Sequence, residues 1–505
     1  MEDVVVQGES EVVRQVGSRR AEGTMLSFEQ QSIVELVVGK KKSVFFTGSA
    51  GTGKTVVLRA IVDSLRRIHA KDPERVAITA STGLAACSIG GSTLHRYAGI
   101  GLGSGSVAEL VKKIRMDRKA LGRWRKCEVL IIDEISMVDG VLFDKLESIS
   151  RVLRRNSLPF GGIQLVATGD FFQLPPVGRG SSNPTFVFDA ESWATSIHRT
   201  VLLTSVFRQR DHGMSSCFGV WRSILLTSIA FASMLDELRV GVVTAKTEGC
   251  LRRLDRPLVK GCIQATELFP TRRQVDFANA TKMRGLSGRT MVYVADEGGK
   301  APNVASLLEH CMAPRSLELK LGAQVMLIKN LDETLVNGVV GTVRDFRSES
   351  SYEDDEYESE QFANEIGEEF VEVKRGRHQG MPHAAKRWPV VVFPTRDGVD
   401  KEILCMPEDW KVEQPAGVVQ ACRRQVPLIL AWALSIHKAQ GQTLDLVKVD
   451  LEGTFETGQA YVALSRATTI DGLWVRNFQP GRIKVSSRVV EFYRSLQRGS
   501  GDDGH

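Results

Sequence analysis

The sequence predicts an α/β fold with two mostly parallel sheets and a small β-rich insertion, on three observations. Short β-branched runs at 44–47, 76–79, 129–132 and 163–168 alternate with helical stretches across residues 26–203, as strands joined through crossover helices do. The glycine-rich segment 48–55 closes the first run and opens a helical pattern over 56–65, a strand-loop-helix context that places phosphates at the carboxyl end of a parallel strand. A second alternating set follows residue 203 and returns over 427–493, whereas 332–421 carries short β-like runs with few helical signals.

From these shifts we expect a disordered lead-in at 1–24, a first α/β domain over 25–203, and a second over 204–331 and 422–495. The second is interrupted by the β-rich insertion 332–421, and a disordered tail follows at 496–505. Inside the insertion, 349–372 is crowded with carboxylates and poor in core formers, and is expected to be a mobile surface loop. There is no internal repeat.

The 505 residues are enough for several buried cores. A net charge of +6 permits a polyanionic partner without requiring one, because the same charge spread over this length is also an ordinary solvated surface. None of the eight cysteines stands in a C-x-x-C spacing, and His212 near Cys217 lacks the further ligands of a tetrahedral zinc site, so reduced intracellular thiols are expected. Residues 1–24 have no long apolar core and contain Glu2, Asp3, Glu9 and Glu11, unlike a secretory signal or an Arg-rich transit peptide. The apolar stretch 217–235 is interrupted by Arg222, which favours a buried or partner-facing helix over a membrane span.

Each residue of the loop Gly48, Ser49, Ala50, Gly51, Thr52, Gly53, Lys54 and Thr55 has a chemical reason to be there. The glycines let successive N–H groups face a phosphate, Lys54 reaches the β/γ oxygens, and the Thr55 hydroxyl suits Mg²⁺. Asp133 and Glu134 follow a buried-strand pattern: Asp133 suits the metal through water and Glu134 suits a general base, while the plainer reading is a strand end that caps the next helix. Gln173, in Gly169-Asp170-Phe171-Phe172-Gln173, is placed to bond a γ-phosphate and the lytic water. Arg208 and Arg466 lie far from the loop in sequence, and would stabilise charge on a transferring phosphoryl group when a cleft closes. Taken singly, each is also compatible with a surface ion pair.

These motifs together resemble a Pif-type ATP-dependent DNA helicase of helicase superfamily 1, over nearly the whole chain. Leu26-Ser27-Phe28-Glu29-Gln30 is similar to the adenine-reading motif. Residues 143–162, from Phe143-Asp144-Lys145 through Arg151 and Arg154 to Pro159-Phe160-Gly161-Gly162, resemble the signature that separates this family from RecD-type relatives. The resemblance implies two RecA-like P-loop domains, the first with a small DNA-facing insertion and the second with an SH3-like one. It also implies ATP with Mg²⁺ as cofactor, Gln30 at the adenine, single-stranded and forked DNA as partners, 5′-to-3′ translocation, and a monomer without a membrane role.

DNA contacts are expected from Thr82, His95, Thr271, His437, Lys438, Gln459, Tyr461, Ser465 and Phe478, through a basic groove and side chains on which bases lean. The sequence departs from the family between Phe207-Arg208-Gln209 and residue 231, where the apolar segment 212–230 intervenes. The alternatives kept open are a DNA-stimulated translocase that remodels protein–DNA or RNA–DNA complexes without processive unwinding, and a DNA-binding scaffold with a decayed nucleotide site. Residence in the nucleus is expected, with the mitochondrion as the alternative.

Overall fold

Six strands form a wholly parallel sheet in the order β3-β2-β4-β5-β1-β6: β1 (Val44–Gly48), β2 (Val76–Ala80), β3 (Ser92–Thr93), β4 (Val129–Asp133), β5 (Gln164–Thr168) and β6 (Arg199–Leu203). This computed structural model describes residues 26–176, 185–205, 218–260, 263–299, 304–308, 311–332, 335–349, 351–352, 386–394, 400–413, 419–454 and 456–499. The central strands are continuous apolar runs because helices cover both faces; all five residues of β1 are buried. The helix Lys54–Ile68 packs one side through Val57, Leu58, Ile61 and Leu65, joining Ile33, Val37, Phe46 and Ile131 in one core.

The chain divides into two compact units, one of Met1–Arg256 with Ile436–His505 and one of Pro257–Ser435. The C-terminal segment therefore belongs to the same unit as the phosphate loop. Its last helix, Ser487–Gly499, lays Phe492 flat on Phe188 at 4.3 Å and edge-on to Phe171 at 5.5 Å, so aromatic burial holds it to the tips of the first sheet.

The second unit is dominated by antiparallel pairing. Val340–Arg347 pairs with Trp388–Pro394 and Gln324–Leu327, and Trp388–Pro394 pairs in turn with Asp400–Leu404. Glu408–Glu413 and Asp296–Gly298 flank Val419–Gln425. Antiparallel pairing thus runs from Val259 to Leu430, reaching beyond 332–421 on both sides. Strands such as Gln324–Leu327 are buried throughout and lack the alternation that marks a β insertion in sequence. Parallel pairing recurs between Thr266–Phe269 and Ala433–Ser435 in this unit, and between Val447–Asp450 and Leu473–Arg476 in the other, where the second alternating set was expected.

The segment expected as a mobile acidic loop lies almost wholly outside the described residues, as do 1–24 and Arg208. Of the intervening segment 212–230, the part from Phe218 onward belongs to one continuous helix, Phe218–Arg239. No helix among the described residues is long and apolar enough to cross a membrane. Cys127, Cys250, Cys311, Cys405 and Cys422 are free thiols.

Within 143–162, the helix Gly140–Arg154 is tied to the turn Pro159–Gly162, where Phe160 and Gly161 have φ of 48° and 60°. Glu147 accepts the Phe160 amide at 3.2 Å, and Arg154 donates to the carbonyls of Gly161, Trp124 and Cys127. A left-handed turn strains a non-glycine residue, and these side-chain bonds hold Phe160 there. The residues that look most diagnostic in sequence therefore brace the fold.

Candidate active site

The phosphate loop turns tightly because Gly51 and Gly53 adopt φ of 91° and 78°, and a Cβ on Gly48 would meet Thr52 Oγ1 at 2.6 Å and the Leu203 carbonyl at 2.8 Å. Gly53 caps the helix without a side chain, so the first helical amides face the loop's hollow. Lys54 Nζ donates to the carbonyls of Gly48 at 2.7 Å and Ser49 at 3.0 Å, closing the cradle on itself. Removal from water lowers the Lys54 pKa, and the carboxylates of Asp170 and Glu134 oppose that shift. Thr55 is exposed at the helix start. Gln30 is buried, completes a capping box with Ser27, and reaches the Thr52 carbonyl at 3.4 Å, which ties the adenine-reading motif to the loop.

Asp133 ends β4, and its carboxylate accepts the Glu134 amide at 2.8 Å. Glu134 has a left-handed backbone, φ 50° and ψ 46°, an uncommon state for this residue type that turns its side chain off the strand direction. Burial raises the pKa of both carboxyls; Glu134 raises that of Asp133 further, while Lys54 and Arg466 pull Glu134 back. The donor set of Asp133 with Thr55 fits a divalent cation held partly through water.

Three groups from the C-terminal segment reach this site. Gln440 Nε2 donates to Glu134 Oε2 at 3.1 Å. Arg466 is buried; it donates to the carbonyls of Val462 at 2.9 Å and Gln442 at 3.1 Å and to Ser465 Oγ at 2.9 Å, and its loss of solvation, which lowers its pKa, is offset only in part by the charge of Glu134. The surface ion-pair reading of Arg466 is excluded by that burial. Tyr461 Oη accepts the Ala50 amide at 3.2 Å. Gln173 is buried, and its Oε1 has no hydrogen-bond partner among the described residues; neither has Gln440 Oε1. Native proteins rarely leave such atoms unpaired without a functional reason.

The structure adds a buried network that motif spacing did not assign. Asp170, wholly buried, receives Arg239 through Nε at 3.1 and 3.2 Å and Nη2 at 2.8 Å. The guanidinium lies over the rings of Phe172 and Tyr493, 4.4 and 4.9 Å from their centroids. Tyr493 Oη bonds Thr47 Oγ1 at 2.6 Å, accepts the Phe171 amide at 3.3 Å and donates to Asp170 at 3.4 Å. Burial pushes the Asp170 carboxyl up, but Arg239 more than offsets this and leaves its pKa below the usual range. Arg239 ends the helix Phe218–Arg239 and Tyr493 lies midway along Ser487–Gly499; neither carries a local motif, so only the fold reveals them.

Four residues expected to touch DNA are buried. Gln459, Tyr461, Ser465 and Phe478 are exposed by 0, 2, 0 and 7%, so none offers a face on which a base could lean. The helix Gln459–Leu464 is buried along its whole length and meets the phosphate loop through Tyr461 and Ala50. The remaining five reach solvent to different degrees. Thr82 Oγ1 accepts the Ala85 amide at 3.2 Å, His95 is half-buried, and His437 pairs with Glu456 at 3.5 Å beside exposed Lys438. Thr271, in the other unit, is exposed and donates to Gln274 at 2.6 Å.

A glycine loop ahead of a helix, an acidic pair at the tip of β4, one strand removed from β1 in the sheet, and a buried arginine facing that pair define a P-loop fold of the RecA-like type. The PIF1-like helicase family profile matches residues 25–249, and that of the DNA helicase Pif1 2B domain matches 304–346. The chain is 50% identical to ATP-dependent DNA helicase PIF1 of Emericella nidulans over 497 residues, which is 95% of this chain and 64% of that protein. The crystal structure of Pif1 helicase from Candida albicans matches with a TM-score of 0.71 at 45% identity, covering 94% of this chain and all of that one. Bacteroides Pif1 in complex with ADP-AlF3 and single-stranded DNA matches with a TM-score of 0.57 at 25% identity, over 94% of this chain and 98% of that one. The chain belongs to the PIF1-like helicase family. It spans just under two thirds of the Emericella nidulans relative.

Proposed function

We propose that this protein is an ATP-dependent DNA helicase that hydrolyses ATP with Mg²⁺, moves 5′ to 3′ on single-stranded DNA and separates duplex, in DNA replication, repair, recombination or telomere maintenance. The observation that carries the reading is the convergence of Gln440 and Arg466 on Glu134 beside Lys54, within one compact unit. The Candida albicans and Bacteroides Pif1 structures match this chain over nearly their whole length, the second with a nucleotide analogue and single-stranded DNA bound, which supports the same substrates here.

In this reading Lys54 leaves the carbonyls of Gly48 and Ser49 for phosphate oxygens, and the glycine-freed amides bind the rest of the chain of phosphates. Glu134, oriented by Gln440, takes the proton of the attacking water, and its raised pKa brings it closer to the operating pH of a general base. Gln173 offers its unpaired Oε1 to that water. Arg466 stabilises charge that develops on the phosphoryl oxygens. Thr55 and Asp133 would hold Mg²⁺, which neutralises phosphate charge and orients the leaving group. Thr82, His95, Thr271, His437 and Lys438 remain the DNA contacts, giving salt-sensitive binding with little base preference.

Strand displacement on forked duplexes with either a 5′ or a 3′ tail tests the reading. Separation that needs ATP and the 5′ tail is expected. DNA-stimulated ATP turnover without separation would identify a translocase instead, and DNA binding without turnover would identify a scaffold.

A further inference from the structure

We infer that Tyr461 is a positioning residue for phosphoryl transfer, which registers the phosphate loop against the segment that carries Arg466. The inference rests on the ATPase reading above and goes beyond it to a residue that the motif chemistry leaves without a role.

Tyr461 is 2% exposed, and its hydroxyl accepts the amide of Ala50, the third residue of the loop, at 3.2 Å. It sits on Gln459–Leu464, and the Arg466 side chain is fastened to the same turn through the carbonyl of Val462 at 2.9 Å and through Ser465. One short buried stretch thus grips the cradle with one side chain and presents the charge-stabilising arginine with another. The loop end of this link is soft, because Ala50 lies between Gly48 and the left-handed Gly51. A loop of that kind can shift by fractions of an ångström, and displacement of that order at a reacting centre is costly in rate.

The phenol also keeps its own proton to give. Burial, reinforced by the nearby Asp170 carboxylate, pushes its pKa above that of an ordinary tyrosine, so the group stays neutral through the physiological range. A neutral hydroxyl accepts from an amide and still donates, which a loop carbonyl in its place could not do. Phenylalanine would fill the same cavity and lose only that bond.

The test uses the full chain with ADP and with ADP plus aluminium fluoride as probes, in the presence of Mg²⁺. Tyr461→Phe is expected to lower DNA-stimulated kcat about tenfold, the size of one well-placed hydrogen bond, with KM for ATP and the melting temperature nearly unchanged. Affinity for ADP–aluminium fluoride is expected to fall about tenfold while ADP affinity holds, since registration with Arg466 matters only where transition-state charge develops. In an Arg466→Ala background the same change is expected to cost less than about twofold, because the partner to be registered is gone.

Equal losses for ADP and its fluoride complex, an unchanged kcat, a lowered melting temperature that accounts for the loss, or a full tenfold effect in the Arg466→Ala background would each overturn the inference. A wild-type chain with no ATP turnover would overturn the underlying reading instead, so the two failures are distinguishable.

Discussion

The two compact units use charge in opposite ways. Around the phosphate loop the ions are buried and interlocked: Asp170 with Arg239, Glu134 within the field of Lys54 and Arg466, and tyrosine hydroxyls in the gaps. In the Pro257–Ser435 unit most pairs lie nearer the surface, as Lys401 with Asp332 at 2.5 Å and Arg315 with Glu297 at 3.2 Å, with the buried Arg423 on Glu297 as the exception. Buried ions must be matched with partners, since desolvation of each costs several kcal/mol, whereas exposed pairs are nearly free to be exchanged. The first unit is therefore constrained by chemistry at single residues, and the second mainly by its strand pairing.

That contrast can be broken at graded points. Lys54→Ala should abolish ATP turnover, a loss of about 10³-fold or more, while salt-sensitive single-strand binding measured by fluorescence anisotropy persists. Turnover near wild type would remove the phosphate-cradle assignment. Arg466→Ala should lower kcat by about 10³-fold with nucleotide affinity within a few-fold, as steady-state kinetics and ADP titration will show. A matching loss in ADP affinity would mean that the arginine supports ground-state binding.

Arg239→Ala should destabilise the fold by about 3–5 kcal/mol, because it leaves the Asp170 carboxylate buried and alone; chemical denaturation reads this directly. A cost below about 1 kcal/mol would show that water reaches Asp170 and that the network is looser than its geometry. The smallest effect belongs to Lys401→Ala, expected at under about 1 kcal/mol in the same measurement, since both partners are more than a third exposed. A cost like that of Arg239→Ala would erase the difference between the units.

Legibility followed the same division. Lys54, Asp133, Glu134, Gln173 and Arg466 could be chosen from sequence because phosphate chemistry demands those residue types beside those strand ends, and the structure does place them in one unit. Asp170 stood in a recognisable motif, but its partners Arg239 and Tyr493 lie on remote helices where nothing local announces them. The DNA-facing set was harder. Non-specific strand binding asks only for hydroxyls, rings and cations at a surface, and Tyr461 in sequence is as plausible a stacking platform as it is a buried latch. Burial decided the matter.

What the chain determined by itself is local: the parallel α/β pattern, the glycine-permitted loop, and the identity of the groups that meet phosphate. These depend on periodicity, backbone freedom and functional-group chemistry within a few residues of one another. Tertiary structure alone decided that the segment from Ile436 to the last helix, Ser487–Gly499, groups with the phosphate loop, that Arg239 serves Asp170, and that Tyr461 faces Ala50. Each of those depends on which distant surfaces exclude water together, and that is a property of the packed chain, absent from any short stretch of it.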